Sequence, residues 1–356
     1  MQLKLRKIIL ISLVFFLVFP IIYTDSVFAQ LDSDSEASSQ AVKDAEENLV
    51  HAYEKVLEAE KAGANVSELL EKLNLAAHYF ELAEASNNTG QMSAAWNNAT
   101  LSIEITKRVK EDAAELFEEA SKRTSQRFIL TSILSFTGIT IVSLTGLYLW
   151  LLIKQRYGIV KKHYLIIVTS VVLIDCLILI PFLSYFLSFP KSGQKFSEVW
   201  ILDSNHQAIG KPLDCKVNET QNVFLGLRNY MGCLSYYVVK VKFTNETERL
   251  PGLFSSMPSS LKETYCFHVF ISHEKAWETK VSIRISDAAF SVNKCHVNRL
   301  AINGIFFNVN SLLTWNATKR GFYYYMIFEL WRYNNGGILQ YHERYVWLPL
   351  NVTELV

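Results

Sequence analysis

The sequence contains no phosphate-binding Walker loop, no G-x-G-x-x-G turn, no G-x-S-x-G elbow, no H-E-x-x-H pair and no C-x-x-C. Each absence removes a chemistry. Nucleotide hydrolysis, dinucleotide binding, attack by an activated serine, zinc proteolysis and dithiol exchange need those residue types at those spacings. Charge of one sign is also lacking, because 35 Lys and Arg stand against 34 Asp and Glu. A formal net charge of +1 offers no basic excess for a phosphate backbone, so no nucleic-acid partner is expected. The chain reads as a non-enzyme without a cofactor.

Apolar residues are what the sequence has in excess, at 50% with a mean hydropathy of +0.14. Three runs hold most of that excess. Residues 8–23 follow Lys4, Arg6 and Lys7 and precede Val27-Phe28-Ala29, so 1–29 reads as a secretory signal peptide or, if uncleaved, an anchor. The runs 128–153 and 164–189 are long enough to cross a bilayer, which takes about 20 residues. Between them, 154–163 carries Lys154, Arg156, Lys161 and Lys162 and no acid, which assigns this loop to the cytoplasm. Segments 30–127 and 191–356 are then extracytoplasmic parts of a multi-pass cell-membrane protein in contact with the lipid bilayer. The N-x-[ST] sequons, candidate glycosylation sites, begin at Asn65, Asn87, Asn98, Asn218, Asn245, Asn316 and Asn351, all within those two segments.

Residues 30–127 show helical periodicity. Val42, Ala45, Leu49, Ala52, Val56 and Ala59 recur at spacings of three and four, as do Val66, Leu69, Leu73, Ala76, Phe80 and Ala83. Gly63-Ala64-Asn65 and the stretch Ser86 to Gly90 break the pattern, and Val109, Ala113, Leu116 and Ala120 carry a third helix onward. The expectation is an antiparallel bundle of three helices. Asn65 is placed to cap the second, with Glu68 three residues on, although it also heads a sequon. The module holds 19 acidic and 10 basic residues, spread as a solvated surface would be.

From 191 onward the period becomes two. Tyr237, Val239, Val241 and Phe243 alternate with Tyr236, Val238, Lys240 and Lys242, which predicts a strand with one buried face; Val281, Ile283 and Ile285 repeat the pattern. Further strands are expected near 196–203, 221–228, 265–272, 322–332 and 339–348, with hairpin turns at Asn303-Gly304 and at 334–337. Seven or more short strands argue an immunoglobulin-like β-sandwich. Its 18 basic against 13 acidic residues oppose the charge of the helical module, so the two segments are expected to contact each other.

The phrases KFSEVWILDSNHQAIGKPL, LRNYMGCLSYYVVKVKFTNET, RLAINGIFFNV and GFYYYMIFELWRYNNGGILQYHERYVWLPLNVT resemble the extracytoplasmic half of the archaeal membrane proteins grouped as domain of unknown function 1616. The resemblance runs over about 160–356, the stretch from the last apolar run onward. It implies a membrane protein with an outer β domain, and brings no activity or catalytic residues.

Few residues here carry chemistry. Cys215, Cys233, Cys266 and Cys295 are an even number in a segment where disulfides persist, and are candidates for one or two bridges or for buried thiols. His268 and His296 lie near Cys266 and Cys295, but alternation and the lack of paired short spacing read them as satisfied surface histidines rather than metal ligands. Asp175 lies within VVLIDCLILIP, either packed as a carboxyl or coupling the chain to a partner. Tyr323-Tyr324-Tyr325, Trp331, Tyr341, Tyr345 and Trp347 read as core aromatics, with a sugar-stacking platform as the alternative. The function expected is non-catalytic adhesion, scaffolding or ligand binding toward an envelope protein or glycan, with an accessory or sensory subunit of a membrane complex as the alternative.

Overall fold

The computed structural model describes residues 35–157, 170, 174, 195–245, 257–334 and 336–354. The signal segment 1–29, most of the loop 154–163, nearly all of 164–189 and with it Asp175 lie outside the described residues. Packing divides the chain into two units, one drawn from Met1–Glu58, Val66–Ala114 and Phe196–Val356 and the other from Ala59–Asn65 and Glu115–Lys195.

The described residues open with three helices: α1 (35–61), α2 (Ser67–Asn88) and α3 (Met92–Tyr157). Each buries one stripe, including Ala45, Leu49, Ala52 and Val56 on α1, Leu69, Leu73, Ala76 and Phe80 on α2, and Ala99, Val109 and Ala113 on α3. Alanine in these stripes lets backbones approach, and Ser102 Oγ donates across to the Ala76 carbonyl at 2.9 Å. Lys110 to Asn48 at 2.7 Å and Lys72 to Asp112 at 2.9 Å join α3 to its neighbours in up-down-up order. Gly63 (φ 91°) and Gly90 (φ 79°) take the left-handed conformation that closes a helix. The residue capping the N-terminus of α2 is Val66, without a side-chain hydrogen bond, in place of the expected Asn65.

Among the described residues ten strands follow: β1 (Ser197–Leu202), β2 (Leu213–Lys216), β3 (Thr220–Asn229), β4 (Ser235–Asn245), β5 (Glu263–Ile271), β6 (Ala276–Ser291), β7 (Lys294–Ile302), β8 (Ile305–Thr314), β9 (Phe322–Tyr333) and β10 (Leu339–Thr353). They form two five-stranded sheets, ordered β1-β3-β6-β7-β8 and β2-β10-β9-β4-β5. Neighbours are antiparallel except β2 and β10. Val223, Leu225, Ile283 and Leu300 from the first sheet meet Val239, Phe267, Phe328 and Leu350 from the second, so the core of the β-sandwich lies between them. The turn between β7 and β8 has Asn303 at φ 50° and Gly304 at φ 83°, the paired positive values that a two-residue hairpin loop requires.

The second sheet is buried on its outer side as well. Along β4 nearly every residue is buried, not the single face that alternation predicts. The helices are the reason. Tyr53 of α1 packs on Tyr236 and Phe270 at 6.0 and 5.7 Å between ring centroids, and Tyr236 stacks on Tyr333 at 4.6 Å. Strand β5 is an edge, and α2 covers it: the Asn74 side chain accepts from the Phe270 N–H at 2.8 Å and donates to its carbonyl at 3.1 Å. A side-chain amide thus stands where a further strand would pair. The helical and β segments therefore do contact each other, through aromatic packing and these hydrogen bonds more than through opposed net charge.

Elsewhere on that outer face, Lys242 donates to Glu329 at 2.7 Å, with side chains 5% and 0% exposed. Ser259 completes the pair, its carbonyl accepting from Lys242 and its N–H donating to the other Glu329 oxygen.

Two outcomes are expected. Asn74→Ala strips the partners from a shielded N–H and carbonyl and lowers stability by about 2 kcal/mol, with faster amide exchange at Phe270, measured by denaturant unfolding and hydrogen exchange. Lys242→Ala leaves an uncompensated buried carboxylate and costs about 3–5 kcal/mol, whereas Lys242→Met combined with Glu329→Leu recovers most of the loss.

Candidate functional site

Polar side chains converge where α2 crosses β5. Residues Asn74, Glu81 and Glu84 are spaced by seven and three, which puts them on one face of α2. Along β5, Cys266, His268 and Phe270 share a face by period two. The two faces meet. His268 Nε2 lies 3.2 Å from Glu84 Oε2 and its Nδ1 lies 2.9 Å from the Tyr236 hydroxyl, while Phe80 packs edge-on against the ring at 4.8 Å. The donor atoms of Glu84, Cys266 and His268 lie within 4.8 Å of one another. His268 is buried, which corrects the surface reading of this histidine. His296 is half-buried on β7, on the opposite face from Cys295.

Burial dominates the electrostatics. It raises the Glu81 carboxyl to about 7 against the opposing hydrogen bond from Tyr265 and the His268 charge. Glu84 is pushed up by burial too, but the hydrogen bond and charge of His268, helped by Lys240, outweigh it and hold the carboxyl below its usual value. Burial also lifts the Cys266 thiol well above the ordinary range. Lys240 is paired with Glu263 at 2.6 Å and sits 4.9 Å over the Trp331 ring. Glu84, Cys266 and His268 form the one group of three metal-type donors among the described residues.

A second polar chain lies under the sandwich edge. His342 Nε2 is 3.1 Å from Ser197 Oγ, which is 2.6 Å from the Tyr237 hydroxyl, and Tyr237 donates to Asn229 Oδ1 at 3.0 Å. Asn229 passes its own protons to the Cys233 and Ile271 carbonyls. Ser197 is 2% exposed, so this serine and histidine fasten β1 to β10 and do not present a nucleophile to substrate.

All four cysteines of this segment are thiols. Cys215 and Cys295 sit in the inter-sheet core, Cys266 faces α2 and Cys233 lies in the turn between β3 and β4. Of the sequons, Asn65 and Asn218 are exposed, the latter in a turn at φ 66°. Asn87 and Asn98 lie half-buried in α2 and α3. The Asn245 amide donates to the Leu312 carbonyl at 3.2 Å, Asn351 donates to Asp214 at 2.8 Å, and Asn316 accepts from the Lys319 N–H at 2.9 Å. Tyr324 is a core residue bonded to the Cys295 carbonyl, whereas Trp347 is 44% exposed beside a groove of about 430 Å³ that Val199, Ile201, Ile209, Tyr345 and Val346 also line.

Taken together, fold and site define a helix-capped β-sandwich protein with buried polar clusters at its seams. No family model matches the chain, and no curated protein matches it. Among solved structures, a CARDB domain from Pyrococcus furiosus crystallised with di-metal ions is similar at 9% identity and a TM-score of 0.22, covering 46% of this chain and 96% of that one. A β-glucosidase from Listeria innocua in complex with laminaribiose gives 9% identity and a TM-score of 0.24 over 46% of this chain and 17% of its own. The C-terminal domain of Wzt gives 9% identity and a TM-score of 0.22 over 46% and 77%. Likenesses this distant assign neither ligand nor activity to this chain.

Desolvation, with Arg332 and Arg344 nearby, lowers His342 from its usual 6.5 to about 4. The folded chain therefore binds fewer protons here than the unfolded one, so this contribution to stability is present above about pH 6.5 and is lost as pH falls toward 4. Denaturant unfolding across that window should show His342→Gln removing a loss of about 2 kcal/mol from the acid limb.

Proposed function

We propose that the chain is a membrane-anchored, non-catalytic envelope protein that holds its helix-capped sandwich outside the cytoplasm for adhesion, scaffolding or ligand binding. One observation carries this reading. In α3, Phe128, Leu130, Leu134, Phe136, Leu144 and Tyr148 are between 60% and 75% exposed, on the one helix among the described residues that is long and apolar enough to cross a membrane. Apolar surface left open in water costs about 25 cal/mol per Å², so a stripe of this length needs an apolar surrounding.

The basic loop at 154–163 and the sequons give the orientation. An elaborated immunoglobulin-like sandwich fits the strand order, in which β4, β9 and β10 adjoin in one sheet, β3 and β6 in the other, and the β7–β8 hairpin widens the latter. The resemblance of 160–356 to the archaeal domain of unknown function 1616 belongs to the same proposal. A non-catalytic role is supported by the clusters themselves, whose buried members bond to one another and join helix to strand or strand to strand.

Protease added to intact cells should remove segments 30–127 and 191–356 and spare a fragment containing 128–189. Protection of either outer segment, or cleavage within 154–163 from outside, overturns the proposal.

A further inference from the structure

We propose that Glu84, Cys266 and His268 bind one divalent transition-metal ion of the zinc class, which fastens α2 to the edge strand β5. The donor set is the first argument. A thiol, an imidazole and a carboxylate are the mixed sulfur, nitrogen and oxygen ligands that zinc accepts and that calcium or magnesium, which require oxygen, do not. Geometry is the second. Bonds of about 2.0–2.3 Å around a tetrahedral ion set its donors roughly 3.3–3.8 Å apart. Here the carboxylate and imidazole are 3.2 Å apart and all three donors lie within 4.8 Å, so side-chain adjustment of about 1 Å closes the site.

Orientation is the third argument. Histidine ligands of metal sites hold their other ring nitrogen in a hydrogen bond that fixes the ring. Tyr236, fully buried and stacked between Phe270 and Tyr333, holds Nδ1 at 2.9 Å and leaves Nε2 directed at Glu84. Lys240 does not cancel the site, because Glu263 neutralises it at 2.6 Å. Glu84 keeps 28% of its side chain exposed, which gives the ion a way in and leaves the fourth position to water.

Binding exchanges the Glu84–His268 hydrogen bond for metal bonds: Nε2 gives up the proton of that bond, the ring proton resting on Nδ1 toward the Tyr236 hydroxyl, and the Cys266 thiol proton is released to solvent, so affinity rises with pH. The competing account is a hydrogen-bonded Glu84–His268–Tyr236 clasp with no ion, in which the Cys266 thiol only hydrogen-bonds Glu84.

Cobalt separates the two. Full-length protein in detergent, stripped with chelator, is titrated with Co²⁺ alone. The proposal requires a thiolate-to-cobalt charge-transfer band that saturates at one ion per chain, is bleached by zinc, disappears in Cys266→Ser and persists in Cys233→Ser. Glu84→Gln and Tyr236→Phe, checked for native circular dichroism, should weaken binding at least about tenfold. No band, or a band surviving Cys266→Ser, overturns the proposal. If Cys266→Ser does not fold, Glu84→Gln decides, and unchanged cobalt affinity then overturns it. The outcome is independent of membrane orientation, which protease protection reads separately.

Discussion

Strand β5 ends its sheet, and an edge strand leaves N–H and carbonyl groups that water or a partner must satisfy. The cover supplied by α2 settles much else. Once Asn74 occupies the Phe270 backbone groups, the helix lies over the outer face of the same sheet, and the side chains projecting there lose their water. Tyr236, Phe270 and Tyr333 then form one stacked group under Tyr53. Rings of this size bury some 150–250 Å² each, so the seam contributes several kcal/mol and does not act as a weak contact between two separate bodies.

Polar groups caught under that cover must find partners, because an unpaired buried donor or charge costs more than a bond returns. Four clusters here follow that rule, whereas Trp331 Nε1 and the Tyr341 hydroxyl are buried on this face without a hydrogen-bond partner among the described residues. Tyr265 donates to Glu81, Tyr333 donates to Glu46 at 2.7 Å, His268 bridges Tyr236 and Glu84, and Lys242 neutralises Glu329. The perturbed carboxyl and thiol at the seam are consequences of desolvation first, and of neighbouring charge second. Perturbation of this kind marks a catalytic residue only where substrate can reach it.

Local rules read the elements well. Asn303-Gly304 needs nothing beyond its own φ preferences to turn a hairpin, and the alanine and leucine spacing of α1 and α2 marks the stripe each buries. What failed to show in the sequence is what depends on a distant segment. Alternation along β4 reads as a half-exposed strand because the period reports side-chain direction and not what lies above each face. Glu84 and His268 are 184 residues apart, so C-x-H on β5 looks incomplete until α2 is folded against it. The short β2, four residues with one buried, carries too little pattern to be seen. Asn65 resembles a cap by type, yet the helix begins one position later, after Val66.

The helix α3 carries the last step. Its earlier turns bury Ala99, Val109 and Ala113 against other helices, and its later turns expose leucine and phenylalanine. Buried small residues thus give way to exposed apolar ones along one backbone, and the change falls at Lys122, Arg123 and Arg127, just before Phe128. Beyond that point four threonines bond to their own helix. Thr131, Thr137, Thr140 and Thr145 donate to the carbonyls four residues back at 2.7–2.8 Å. A threonine in water has no need of that bond, since solvent serves its hydroxyl equally well. In an apolar surrounding the bond is required, because nothing else there can accept the proton. The threonine bond is not confined to that stretch, since Thr100 and Thr106 donate to the Trp96 and Ser102 carbonyls in the earlier turns, so what changes at the basic boundary is the exposure of the apolar side chains.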